Sequence, residues 1–427
     1  MKKSLMFFVT IVSAINSFAQ VTANNELKGL INNSFTYFPK VKEVENVVST
    51  AQQKIELTKT TGMPEASFEA GYNYVMPKIE LAFGSLGTFQ FAPVHNLSTD
   101  VAASYTLFDF GRLKTNIQKS KDELQYAQHN VELVKNQLAY QVANIYYNII
   151  FFKKAIAIED SVLKFLNDNK DVTNNKLKNG DALKVDLLNI QANIDAEQNR
   201  KVDLQNSLQK QYNLLQYTTG LQQNNGADFD FDIALIDTVT ALSTAATNNL
   251  DFILAKDKIT QSKTDLAMSK LSTKPSVSTH AALGYKNGYV PDVNEIRFNY
   301  MAGISFNVPL YTGGRSKQQV KLQENLVKQN ELAIETLNST YQKDINQTIT
   351  DIKSNYERIK NTKGQIEQAV YAEQLAAIRY QQGVGTNLEL TNASTNVQRA
   401  QFTKLQYEYQ LCLAKLDWAR LMGYKYW

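Results

Sequence analysis

From Phe298 to Leu310 the chain alternates: Phe298, Tyr300, Ala302, Ile304, Phe306, Val308 and Leu310 fall on one side, and Asn299, Met301, Gly303, Ser305, Asn307 and Pro309 on the other. A period of two predicts a strand with one greasy face and one small or polar face. Shorter stretches of the same kind run from Phe68 to Tyr74, from Val101 to Leu107 and from Val277 to Tyr285. Elsewhere the period changes. Val131, Val134, Leu138, Val142, Ile145, Ile149, Phe152 and Ile156 recur at steps of three and four, as do Ile334, Leu337, Tyr341, Ile345, Ile349, Ile352, Tyr356 and Ile359. That spacing places each set on one stripe of a helix. The prolines stand at 39, 64, 77, 93, 275, 291 and 309, so 94–274 and everything after 309 are free of them. A proline inside a helix costs about 3 kcal/mol, so these two stretches are where long helices are allowed.

The two helical series begin 203 positions apart and end 203 positions apart. Gly111-Arg112 and Gly314-Arg315 open them, and Gly180 and Gly383 interrupt them 69 residues after Gly111 and Gly314. Asp186 and Glu389, then Asn189 and Asn392, keep the same offset. The chain reads as an internal duplication. Each copy carries two strands and a helical hairpin, with turns at Asn179-Gly180 and Gly383-Val384-Gly385. Pro64 and Pro275 mark entry to the first strand of each pair; they lie 211 apart, so the second copy has a loop eight residues shorter. The expected layout is a leader over 1–19, a first repeat over 20–219, a connector over 220–247 and a second repeat over 248–427. The strands are expected at about 65–76, 97–110, 275–286 and 297–311, and the helical hairpins at 112–219 and 315–425. The 68 residues from Arg315 to Gln382 would make a rod of about 100 Å at 1.5 Å per residue. The fold expected is therefore mostly α with a transmembrane β part: a duplicated β-hairpin plus a long α-helical hairpin.

Composition narrows the function classes. Lys2 and Lys3 precede an apolar run from Leu5 to Ile15, and Ser17-Phe18-Ala19 supplies small residues for cleavage, so export is expected, with a mature chain from near Gln20. The formal net charge of +4 falls to +2 once Lys2 and Lys3 are removed, which is not the balance of a nucleic-acid binder. Cys412 is the single cysteine and cannot form an internal disulfide. Past the leader there is no run of eighteen apolar residues. An exported chain can still cross a membrane as a barrel, because each strand needs only about ten alternating residues. Four strands cannot close alone, but three copies supply twelve. A soluble β-sandwich and a coiled-coil spacer account for the strands or the helices separately.

Phe306-Asn307-Val308-Pro309-Leu310-Tyr311-Thr312-Gly313-Gly314-Arg315 resembles the strand-to-helix junction of TolC-like outer-membrane efflux proteins, and Leu107-Phe108-Asp109-Phe110-Gly111-Arg112 resembles its first-repeat counterpart. Tyr380-Gln381-Gln382-Gly383, with Glu389, Asn392 and Ala393, is similar to the family's tip and aperture pattern, as are Gly180 and Asp186 in the first repeat. The likeness covers almost all of the mature chain. It implies a homotrimeric duct in a Gram-negative outer membrane, a twelve-stranded β-barrel continuous with a twelve-helix α-barrel in the periplasm. It also implies a periplasmic adaptor and an inner-membrane transporter as partners, lipid around the barrel, no cofactor and no enzymatic activity. By position, Glu389 and Asn392 line the aperture, and Asp186 and Tyr380 latch the closed state. Gly180, Leu183, Gly383, Val384, Gly385 and Leu388 form the tips that meet the adaptor. Asn392 departs from the family's second acid, which implies weaker block by cations. Gly385 stands where an arginine often closes the gate, which implies a looser latch.

Other chemistry fails on spacing. His95, His129 and His280 have no partners at metal-ligand spacing. Asp228-Phe229-Asp230-Phe231-Asp232 departs from a calcium loop at Ile233, where glycine is required, and at Val239, where glutamate is required. No phosphate-binding loop or catalytic constellation is present. The competing class is a periplasmic coiled-coil adaptor or scaffold without a channel, which would carry one hairpin and no membrane-facing strands. Cargo, whether small molecule, metal ion or protein, is not encoded in these features.

Overall fold

The computed structural model describes residues 21–222 and 225–427; the expected leader lies outside them. The chain is mostly helical. Its helices are α1 (Asn25–Tyr37), α2 (Pro39–Thr60), α3 (Arg112–Asn179), α4 (Lys184–Thr219), α5 (Thr238–Asn248), α6 (Leu250–Leu271), α7 (Arg315–Gln381) and α8 (Asn387–Met422). Its strands are β1 (Glu65–Tyr74), β2 (Glu80–Ala82), β3 (Thr88–Gln90), β4 (His95–Phe108), β5 (Ser276–Lys286) and β6 (Arg297–Asn307). Two compact units result, one of Val44–Asn130 and Leu254–Glu335, the other holding Val131–Ile253, Thr336–Trp427 and the residues up to Glu43.

The first unit carries a four-stranded antiparallel sheet in the order β1-β4-β5-β6, while β2 and β3 pair separately in the long loop. Its register sorts side chains by chemistry. Phe68, Val101, Leu283 and Tyr300 are cross-strand neighbours in one row, and all four are exposed. The row Glu69, Asp100, Gly284 and Asn299, on the opposite face, is small or polar. β6 stops at Asn307 although the alternation continues to Leu310, because Pro309 has no N–H to give the ladder. Among the described residues, no helix is long and apolar enough to cross a membrane.

At the Gly-Arg junction ahead of α3 the chain reverses through Phe110 and Gly111, with φ of 57° and 93°. Asp109 holds this turn by accepting the Gly111 N–H at 2.9 Å and the Leu113 N–H at 2.5 Å. The Arg112 side chain then reaches the end of α6: its Nε donates to the Leu271 carbonyl at 3.0 Å, and Nη2 donates to the carbonyls of Ser272, at 3.3 Å, and Lys274. A cation here satisfies carbonyls that a helix end leaves unpaired, and complements the helix dipole.

The second unit holds the main core. Leu27 and Ile31 of α1, Tyr146, Tyr147 and Ile149 of α3, and Leu416 and Trp418 of α8 are fully buried together. The acids of the connector fasten different elements. Asp228 pairs with Lys154 at 2.7 Å, Asp230 accepts from the Tyr147 hydroxyl and from Asn24, both at 2.9 Å, and Asp232 pairs with Lys415 at 2.7 Å. Cys412 is buried beside them, and burial pushes its thiol up. The expected hairpins at 112–219 and 315–425 leave out α1, α2, α5 and α6. α2 begins at Pro39, where proline at the first helical position costs no hydrogen bond. α5 is started by Asp237, whose side chain accepts from the N–H groups of Val239 and Thr240.

Glu159 of α3 is the unusual buried group. It is fully buried, and its Oε1 has no hydrogen-bond partner. Gln398 of α8 donates to it at 3.5 Å and to Glu197 of α4 at 3.1 Å, while Arg200 pairs with Glu197 at 3.1 Å. The two carboxyls thus share the Gln398 amide, and the guanidinium pairs with Glu197. Burial first, and then Glu197, push the Glu159 carboxyl up to about 8. A folded-state value above the unfolded one means that its contribution to stability is complete below the usual carboxylate range and is lost as pH rises toward 8. The Glu159→Gln variant, which keeps the protonated shape, is expected to melt with the parent below about pH 4. The parent should then fall behind by up to about 1.4 kcal/mol per pH unit toward pH 8. Helix melting followed by circular dichroism across pH checks this; parallel curves would rule it out.

Candidate functional site

The two helical turns lie in the second unit, and their residues are mostly solvent-facing. α3 ends before Gly180, whose φ of 83° lets the chain reverse into α4. Leu183, at 66% exposure, and Leu188 stand out from this tip. Asp186 is half-buried and caps α4 by accepting the Leu183 N–H at 3.2 Å. α7 turns through Gly383 and Val384 to Gly385. The Arg379 carbonyl accepts the N–H groups of both Val384 and Gly385 at 3.0 Å. A Cβ on Gly385 would lie 2.9 Å from Arg379 Cβ, so this tight return needs glycine. Val384 and Leu388 are exposed, like their counterparts on the first tip.

α8 starts at the Thr386 cap, whose hydroxyl accepts the Glu389 N–H at 3.2 Å. Glu389 and Asn392, three apart on α8, are both exposed. Arg379 Nη2 lies 3.9 Å from Glu389 Oε2, with both side chains more than half exposed. Such a pair contributes under about 1 kcal/mol, so the Glu389 charge is only lightly held. Among the described residues no cluster of three or more His, Cys, Asp or Glu could hold a metal ion. Of the histidines, His129 pairs with Asp257 at 2.6 Å and His95 meets the Tyr72 hydroxyl at 2.8 Å.

The strongest links between the hairpins are buried. The Tyr380 hydroxyl, at the end of α7, meets the Thr173 hydroxyl at 2.8 Å, and the Lys176 ammonium lies over the Tyr380 ring. One turn back on α3, Asn169 donates to Asn387, the first residue of α8, at 2.9 Å. Asp186 and Tyr380, paired by resemblance, are thus engaged elsewhere, with the Leu183 N–H and with Thr173. Asn169, Thr173, Arg379 and Asn387 were not singled out from sequence. Their meeting depends on how the hairpins pack, and only the four-residue step from Asn169 to Thr173 hints that they share a face.

A sequence profile described as outer membrane efflux protein matches residues 30–221 and 241–424. The chain belongs to this family. Its members are outer-membrane channels for transport and serve as the outer-membrane component of tripartite efflux systems. The protein is accordingly an outer-membrane efflux channel with a periplasmic helical part, and not a periplasmic adaptor. No curated protein matches it. Solved structures of like fold include CusC, from a study of its folding and transmembrane channel formation, with a TM-score of 0.80, 17% identity and 96% of each chain covered. Another is the outer membrane protein VceC of Vibrio cholerae, at TM-score 0.77 and 17% identity, covering 94% of this chain and 97% of that one. The Campylobacter jejuni CmeC outer membrane channel gives TM-score 0.77 and 13% identity, covering 99% and 93%.

In this efflux channel, Tyr380→Phe should strand the buried Thr173 hydroxyl at a cost of about 1–3 kcal/mol. Hydrogen exchange of peptides over 165–190 and 375–395 should then speed up by roughly 5- to 150-fold. Tyr380→Phe combined with Thr173→Val removes both polar partners and should recover part of the protection. Unchanged exchange in the single variant would show that the bond carries no weight.

Proposed function

We propose that three copies close their sheets into a twelve-stranded barrel and their helices into a twelve-helix tunnel. The tips would then gate an exit duct fed by an inner-membrane pump through a periplasmic adaptor. The observation that carries this reading is the sheet: its large apolar side chains, Phe68, Val101, Leu283, Tyr300, Ile304 and Phe306 among them, are exposed, and β1 and β6 are unpaired edges within one chain. Lipid around the greasy face and neighbouring copies on both edges satisfy each of these at once. The small and polar face then lines the channel.

At the aperture, Glu389 and Asn392 would form rings of three carboxylates and three amides. Like charges brought together favour cations in transit and offer a place where divalent ions block. Asn392 halves the charge that a second acid would give, and Arg379 offsets part of what remains. Tyr380 holds the closed state, with Asp186 shaping the start of α4. Gly180, Leu183, Gly383, Val384, Gly385 and Leu388 make the surface for the adaptor, since exposed apolar side chains gain by burial and glycine admits close approach. Drug, metal-ion and protein export all fit this duct, because the pump selects cargo.

Planar-bilayer conductance of the purified protein tests the proposal. The parent is expected to give small, cation-selective openings, and Glu389→Ala to lose most of the selectivity. Equal selectivity in both would remove Glu389 from the aperture, and a folded protein that never conducts would overturn the duct.

A further inference from the structure

The Arg112 contact has a counterpart with nothing in it. In the chain's own repeat, Arg315 stands before α7 as Arg112 stands before α3, 203 positions earlier. Arg112 is half-buried and spends its guanidinium on the Leu271, Ser272 and Lys274 carbonyls. Arg315 is exposed, and among the described residues its side chain has no hydrogen bond or ion pair. Its place at the start of a long helix is the same, but among the described residues no carbonyl of its own chain accepts from it.

The acceptors exist at the other end of the repeat. The proline offset of 211 maps Leu271, Ser272 and Lys274 onto Thr60, Thr61 and Met63 at the end of α2. The backbone there turns the same way. Lys274 N–H donates to Leu271 at 3.0 Å, and Met63 N–H donates to Thr60 at 2.9 Å; Ser272 donates to Ser269 at 3.2 Å, and Thr61 to Thr58 at 3.3 Å. This second helix end is exposed, with Met63 at 61%.

Within one chain, α3 is flanked on both sides. Thr58 and Lys54 of α2 reach Ser120 and Glu123, at 3.0 and 2.6 Å, while Thr264 and Asp265 of α6 meet Asp122 and Lys119, at 2.6 and 2.7 Å. The matching stretch of α7 leaves Leu322, at 51%, and Leu326 exposed. We infer that Arg315 caps the end of α2 in a second copy of this chain, donating to the Thr60, Thr61 and Met63 carbonyls as Arg112 does to the end of α6. The contact therefore orders copies head to tail around a ring, the second repeat of one against the first repeat of the next. This inference rests on the trimeric reading proposed above and adds the residues that join the copies.

Crosslinking in detergent tests it. Arg315→Cys with Met63→Cys, treated with a short bis-maleimide, is expected to yield covalent dimers and trimers on denaturing gels. Arg112→Cys with Ser272→Cys should link within one chain and stay monomeric in mass while losing both introduced thiols and keeping that of Cys412. Arg315→Cys with Thr61→Cys serves as a second intersubunit pair should Met63→Cys disturb folding. Monomer bands alone, from preparations that run as trimers before denaturation, would overturn the Arg315 contact and leave the barrel standing. A parent protein that is monomeric in detergent would overturn the trimer, and this contact with it.

Discussion

A sheet that sets Phe68, Val101, Leu283 and Tyr300 side by side, with no layer of protein over them, has to find a medium in which that face is stable. Burial of apolar surface is worth about 25 cal/mol per Å², so each bare aromatic in water is a standing cost. The same sheet has a face carrying Glu69, Asp100 and Asn299, which forbids a second layer of lipid. Two solvents on two faces, and backbone groups along two edges that must be paired, leave few architectures. A closed barrel meets all of these demands together.

The helical unit answers to a different constraint. Its hydrophobic stripe meets α1, the connector and α8, so the core needs no help from lipid. The polar links in this unit are specific in direction. Asp228, Asp230 and Asp232 tie one short segment to α3, to the start of the chain and to α8, which gives a segment without regular structure a defined seat. Near the tips the balance shifts from apolar packing to single hydrogen bonds such as Thr173 with Tyr380. Fewer and more polar contacts make this the part of the unit where local opening costs least.

Much of the architecture was legible because it depends on period. The stripes beginning at Val131 and Ile334 lie on α3 and α7, and the alternating runs from Val277 and Phe298 lie in β5 and β6. Proline counting missed α2, since Pro39 sits where a helix tolerates it, and side-chain alternation overran β6, since it is blind to the N–H that Pro309 lacks. At the tips, sequence located the turns and their glycines but not the bonding. Whether Tyr380 meets Asp186 or Thr173 depends on a rotation between hairpins, and Thr173 in isolation is an ordinary helix residue. Arg112 shows the same limit: its motif marks a junction, while its acceptors lie some 160 residues away.

Cys412 has a consequence for a protein that matures where thiols are oxidised. It sits in the core with its thiol pushed away from the thiolate form, and the thiolate is the species that attacks disulfides. Once folded, the chain exposes no thiol to the oxidising machinery of its compartment, since Cys412 is its single cysteine and is buried. The lone cysteine therefore puts redox risk only into the interval between export and folding, and the speed with which the α8 core closes sets how long that interval lasts.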